Sequence, residues 1–312
     1  MHDRPHRVVK AMPHTANTPD ATLQVSTRGE GPTLIFIHGW AASQKFWQYQ
    51  ARYFAARFRT VTYDLRGHAD SEKPVKGYAI PDHTHDLARL IGQLRLPAPI
   101  LVGHSFGGMV ALQYALDHPR GVKALVLVAT SPHPVPSRWR RVQMTLLGWV
   151  IRLSRARAAK MTKGQLFGPG ADAKLVEWVN TESLRTPTRV VLACLKAVKR
   201  FNVSDRISEI GVPTLLVRGE YDKVASPALL KHMASVMPHA TRVVVNGAGH
   251  NCMLEQPSRF NAILDTFLDK VSEQTAAKPR PSRAASRGVS AGGTKQPQPR
   301  SSQRRTNHRR AS

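Results

Sequence analysis

Only two cysteines, Cys194 and Cys252, occur in 312 residues. That is too few for a disulfide framework, and both read as buried thiols in a reducing compartment. No apolar run reaches the roughly 20 residues that a membrane-spanning helix needs. The opening MHDRPHRVVKAMPHTANTP holds charge and proline but no apolar stretch, unlike a secretory signal. The expected location is the cytoplasm, with peripheral attachment to a membrane left open. Carboxylates are scarce, 20 against 46 Lys+Arg, for a formal net charge of +26. Residues 272–312 hold a single acid, Glu273, ten cations from Lys278 to Arg310, and no aromatic side chain. Such a segment cannot bury enough apolar surface to offset its ordering entropy, so it reads as a disordered basic tail. Lacking a stacking platform, it implies at most weak, salt-sensitive association with nucleic acid or anionic membrane. Without its net +9 the rest of the chain still carries +17.

What is present is a hydrophobic share of 41%, enough for one large core. Residues 1–20 read as disordered. Thr22–Ser26, Thr33–Ile37, Arg59–Tyr63, Ile100–Val102 and Val122–Ala129 read as strands. Between them, Gln44–Arg57 (capped by Ser43), Asp82–Leu94 and Met109–Leu116 read as helices. Alternation of this kind implies a mostly parallel sheet, doubly wound with helices on both faces. The rhythm stops at Ser131-Pro132-His133-Pro134-Val135-Pro136. Residues 131–205 show only helical patterns, at Trp139–Met161, Ala173–Leu184 and Thr188–Lys199, and read as an inserted helical cap. Strands resume at Val212–Arg218 and Arg242–Val245, and Pro257–Leu268 is a last helix. The α/β core is thus expected at 21–130 and 206–271.

Pro99–Gly108 reads PILVGHSFGG. A strand, then Gly103-His104-Ser105-Phe106-Gly107, then a helix is the pattern of a strained turn that lifts a serine hydroxyl above a sheet edge. The flanking glycines fit because side chains there would strike neighbouring backbone. A serine hydroxyl becomes a useful nucleophile only when a base takes its proton and a third group orients that base. A carboxylate follows one later strand in Gly219-Glu220-Tyr221-Asp222. An imidazole follows the next in Gly247-Ala248-Gly249-His250. Strand ends on one edge of a parallel sheet converge, so Ser105, Asp222 and His250 are the catalytic candidates, in a known triad order.

HGW at 38–40, GHSFG at 103–107, GEYD at 219–222 and GAGH at 247–250, with DLRGHADS at 64–71, resemble the α/β-hydrolase superfamily over roughly residues 22–270. The resemblance implies a serine hydrolase, since related dehalogenases and epoxide hydrolases carry Asp where Ser105 stands. It also implies an oxyanion hole made by the backbone N–H groups of Trp40 and Phe106, and it favours Asp222 over Glu220. No cofactor and no metal are expected.

Several residues have plainer readings. His38, His68 and His104 sit in turns where an imidazole can bond nearby backbone. His83 and His85, at i and i+2, face different sides of a helix and read as a solvated helix start rather than metal ligands. Cys252 reads as a small packed residue, and Phe46, Trp47 and Tyr49 as core. Between Asp117 and Asp172 there is no carboxylate, while Arg138, Arg140, Arg141, Arg152, Arg155, Arg157, Lys160 and Lys163 alternate with Trp139, Trp149 and aliphatics. This suits either an ordinary cap helix or a basic amphipathic surface for an acidic partner, an anionic membrane or an anionic substrate. The expected activity is hydrolysis of a carboxylic ester, thioester or lactone through an acyl-enzyme. The expected partner is a small acyl substrate, with anionic or acidic-carrier-borne forms included. C–C bond hydrolysis, acyl transfer or perhydrolysis by the same triad, and a non-catalytic docking protein, are the alternatives.

Overall fold

The computed structural model describes residues 11–277. The expectations for residues 1–10 and for 278–312 lie outside the described residues. One eight-stranded sheet comprises β1 (Met12–Thr18), β2 (Ala21–Arg28), β3 (Thr33–Ile37), β4 (Arg59–Tyr63), β5 (Ile100–His104), β6 (Ala124–Val128), β7 (Thr214–Gly219) and β8 (Ala240–Val245). Their order is β1-β2-β4-β3-β5-β6-β7-β8. β1 and β2 are antiparallel to their neighbours, and β4 through β8 form a continuous parallel ladder. The helices are α1 (Gln48–Phe54), α2 (Ile80–Gln93), α3 (Phe106–Asp117), α4 (Arg138–Leu153), α5 (Arg155–Leu166), α6 (Ala173–Leu184), α7 (Thr188–Arg200), α8 (Pro227–Val236), α9 (Cys252–Glu255) and α10 (Pro257–Ala277).

The central strands are apolar on both faces because both are covered. Ile35, Ile37, Leu101, Leu125 and Leu127 point into one core with residues of α2, α3 and α8. Leu34, Phe36, Ile100, Val102, Val126 and Val128 alternate into the other, with residues of α1, α9 and α10. Full burial of each such side chain contributes about 1.5–3 kcal/mol. α4 to α7 lie between β6 and β7, where the strand rhythm stops.

Four expectations need correction. Residues 12–18 are not disordered: β1 pairs along its whole length with β2. Its polar, largely exposed MPHTANT sequence is held by the backbone ladder, which leaves no hydrophobic signature. Residues 272–277, assigned to the tail, continue α10, since extending an existing helix adds a hydrogen bond for each residue fixed. Ser43 does not cap a long helix. Residues 44–47 form a 3₁₀ turn whose first amide, Gln44 N–H, donates to Asp64 Oδ1 at 2.7 Å, while Ser43 Oγ donates to Glu182 at 2.7 Å. Trp139–Met161 is two helices, broken at Ser154, whose extended backbone lets its Oγ accept from Arg157 N–H.

Tyr49, read as core with Phe46 and Trp47, is instead 45% exposed, and His83 departs from expectation in the opposite sense. His85 is exposed, but His83 is fully buried, edge-on to the Phe106 ring at 5.0 Å. Position 83 falls on the inner stripe of α2 with Ile80, Leu87 and Leu90, a three-and-four spacing that places it in the core.

Candidate active site

Ser105 stands between β5 and α3 with φ of +51° and ψ of −113°. Few non-glycine residues adopt such a backbone, and the cost is of order 1–3 kcal/mol. The turn is held from both sides. Ser105 N–H donates to Val128 O at 2.8 Å, and Thr130 Oγ1 donates to Ser105 O at 2.7 Å. A Cβ on Gly103 would lie 2.5 Å from Gly107 O, and one on Gly107 would strike the carbonyl of Ile37. Both glycines are therefore required by close approach.

Asp222 and His250 follow β7 and β8 and meet. His250 Nδ1 lies 3.1 Å from both Asp222 carboxylate oxygens, and both residues are buried. Burial by itself raises the Asp222 carboxyl. The neighbouring His250 and the N–H groups of Val224 and Ala225, which donate to Oδ1 at 2.8 and 3.0 Å, outweigh it and hold the group below its ordinary value. Glu220 is exposed and turned elsewhere, accepting from Gly247 N–H at 2.9 Å.

Ser105 and His250 line one cavity of about 230 Å³, along with Trp40 and Phe106. Its floor is the sheet edge, at Gly39, Ala129 and Thr130. Its walls come from the insertion, through Met144, Leu147 and Ile151 of α4, Ala158 of α5 and Val179 of α6. Arg140 and Arg155 also reach it. Arg155 is committed to the carbonyls of Thr186 and Ser183 at 2.9 and 2.7 Å, and burial lowers its pKa. The Trp40 indole donates to Val191 O at 3.0 Å, tying the loop after β3 to α7. For the main-chain N–H groups of Trp40 and Phe106 no acceptor is found among the described residues. No cluster of three or more metal-ligating side chains occurs among the described residues, and no helix there is long and apolar enough to cross a membrane.

Residues 32–257 match the family described as alpha/beta hydrolase fold. The chain belongs to the α/β-hydrolase family. It is 29% identical over 257 residues to the pimeloyl-[acyl-carrier protein] methyl ester esterase of Nitrosomonas europaea, spanning 79% of this chain and 100% of that one. The solved structure of Est816, described as an N-acyl homoserine lactone degrading enzyme, superposes with a TM-score of 0.74 at 26% identity, covering 81% of this chain and 100% of its own. The esterase from Exiguobacterium antarcticum, at 23% identity, shares the fold with a TM-score of 0.79 over 83% of this chain and 100% of that one.

Three polar residues of the hydrolase hold its site loops and escape a motif search. Arg218, buried at the end of β7, donates through Nη2 to the carbonyls of Asp222 and Glu220 and through Nε to Ala225 O. Glu255 accepts from Gly168 N–H at 2.7 Å and Gly249 N–H at 3.0 Å, joining the segment after α5 to the loop before His250. Its carboxyl is raised by burial, against those bonds. Glu182 of α6 takes Ser43 Oγ–H and pairs with Lys45 and Arg185, anchoring the insertion to the core. A cation ending the apolar run of β7 is the one sequence signal that points to Arg218.

Four buried histidines surround the site. His38 Nε2 accepts from Leu65 N–H at 2.9 Å, which assigns its proton to Nδ1, facing Gly39 O. The carbonyl of His250 lies 3.0 Å from His104 Nε2 and assigns the proton there. Burial lowers His38 and His83 well below 6.5, His68 to about 4 and His104 to about 3. The unfolded chain therefore binds protons near pH 6.5 that the folded chain refuses. Stability is complete above that pH and is lost as the pH falls toward 4. His68 and His104 each cost about 2 kcal/mol by pH 5. Urea midpoints should fall steadily from pH 7 to pH 5; a flat midpoint over that range would contradict this assignment.

Proposed function

We propose that this hydrolase cleaves a carboxylic ester, thioester or lactone through an acyl-enzyme on Ser105. Supporting the reading above all is a His250 imidazole braced by both Asp222 oxygens at a cavity that Ser105 shares. Ser105 Oγ attacks the acyl carbonyl and His250 Nε2 takes its proton. The oxyanion is stabilised by the N–H groups of Trp40 and Phe106, each donor contributing about 3 kcal/mol to lowering the barrier. His250 returns the proton to the leaving alcohol, thiol or ring oxygen as the tetrahedral intermediate collapses. Water, deprotonated by the same imidazole, then releases the acid. Asp222 holds the His250 tautomer with its proton on Nδ1 and stabilises the cation that forms.

The mostly apolar walls supplied by α4 to α6 favour an uncharged acyl portion of modest size. A second reading, an acyl group borne on an acidic carrier, is favoured by the lack of carboxylates between Asp117 and Asp172. It is also favoured by the name of the Nitrosomonas relative. A fluorophosphonate probe tests the chemistry. It should label the wild-type chain stoichiometrically and leave Ser105→Ala unlabelled. An unlabelled wild type, or equal labelling of both, would overturn the assignment.

A further inference from the structure

α4 is apolar on two opposite faces. Met144, Leu147 and Ile151 line the cavity. Trp139, Val142, Leu146, Trp149 and Leu153, spaced alternately three and four apart, form a second stripe on the other side. Trp139 is 70% exposed, Trp149 60% and Leu153 79%. A helix that serves only as a cavity wall needs a polar outer face. Here the outer face carries two indoles and two leucines, each more than half exposed.

Cations border this stripe. Between α4 and α7 runs a groove of about 480 Å³. Arg141, Arg152, Lys196, Lys199 and Arg200 line it, beside Trp149. Lys199 donates to Thr145 Oγ1, and none of the five is in an ion pair among the described residues. α5 adds Arg157, Lys160 and Lys163, all exposed, and Met161 on its own outer side. Neither α4 nor α5 contains a carboxylate.

We infer that the outer face of α4, with its cationic borders, docks on the surface of an anionic lipid bilayer. The indoles and leucines enter the boundary between headgroups and acyl chains, where tryptophan is favoured, and the arginines and lysines meet lipid phosphates. A second copy of the chain fits this face poorly, because its cationic borders would oppose their like. An acidic protein would satisfy the cations but would need a groove matched to five outward apolar side chains. A bilayer needs no such groove. Docked this way, the cavity lies one helix diameter, about 10 Å, from the lipid. A membrane-dissolved ester would then reach Ser105 by passing around α4. Docking asks nothing of the chemistry at Ser105, so this inference and the acyl-enzyme proposal can fail separately.

The test is cosedimentation of the full-length chain with vesicles of phosphatidylcholine, with or without a third of phosphatidylglycerol. Binding is expected only with phosphatidylglycerol, accompanied by a blue shift of tryptophan emission. Leu146→Glu/Trp149→Glu should weaken it about tenfold, as should Arg141→Glu/Arg152→Glu, and the residual binding of the first pair should be salt-sensitive. None of these four side chains lines the cavity. Turnover of a water-soluble ester should therefore stay within about twofold of wild type, which also certifies folding. The inference is overturned if the wild type ignores phosphatidylglycerol vesicles, or if both double variants bind as wild type, since the tail would then be the anchor. It is equally overturned if the stripe is instead covered by a second copy or by an acidic carrier protein.

Discussion

Replacing Ser105 by alanine is expected to lower kcat on a soluble ester by about 10⁵- to 10⁶-fold. The change removes one oxygen from the cavity wall and leaves the backbone turn to its other supports, the amide bond to Val128 O and the Thr130 hydroxyl on Ser105 O. Stability should therefore move by no more than about 0.5 kcal/mol. On the proposed mechanism, in which hydroxyl and imidazole act as one unit, His250→Ala should be nearly as damaging, and the double variant scarcely worse than either. Urea unfolding beside initial rates gives both readings. Residual turnover above about one part in a hundred would remove Ser105 from the chemistry, since the oxyanion donors alone supply far less.

Asp222→Asn is expected to cost about 10⁴-fold in kcat with little change in KM. The amide can still meet His250 Nδ1, but its NH₂ group can force the imidazole proton onto Nε2, where the Ser105 proton must go. Glu220→Gln should stay within about threefold, because the Gln side-chain oxygen can still accept from Gly247 N–H at a site exposed to solvent. The two variants discriminate sharply, since both carboxylates lie in the same short loop after β7. Severe loss in Glu220→Gln with mild loss in Asp222→Asn would reverse the assignment of the orienting acid.

Much of the fold was legible because its signals are local. Ile100–Val102 followed by Gly-His-Ser-Phe-Gly can turn this way only because neither glycine carries a Cβ, which would fall 2.5 Å or closer to a backbone oxygen, and the glycine spacing in five consecutive residues announces that turn. The α2 stripe was equally open to reading, and its three-and-four spacing already placed His83 inside. The information on His83 lies in Ile80, Leu87 and Leu90 along the helix rather than in its spacing from His85. β1 gave no such opening. Its side chains are mostly polar and exposed, with only Ala16 buried, and its order comes mainly from main-chain bonds to β2, to which any sequence without proline at the wrong position can contribute.

The sequence by itself determined the doubly wound sheet, the place of the helical insertion, and the candidates Ser105, Asp222 and His250, because backbone turns and apolar periodicity depend on neighbours in the chain. The tertiary structure brought Asp222, which the family resemblance favoured, against His250 and turned Glu220 away, and it alone decided that Arg218 and Glu255 hold the loops around it and that α4 shows one apolar face to the cavity and another outward. The meetings of Asp222 with His250 and of Glu255 with Gly168 join residues 28 and 87 apart, which chain neighbours do not specify, and the Arg218 bonds, only two to seven residues long, depend on how the loop after β7 folds back over that side chain.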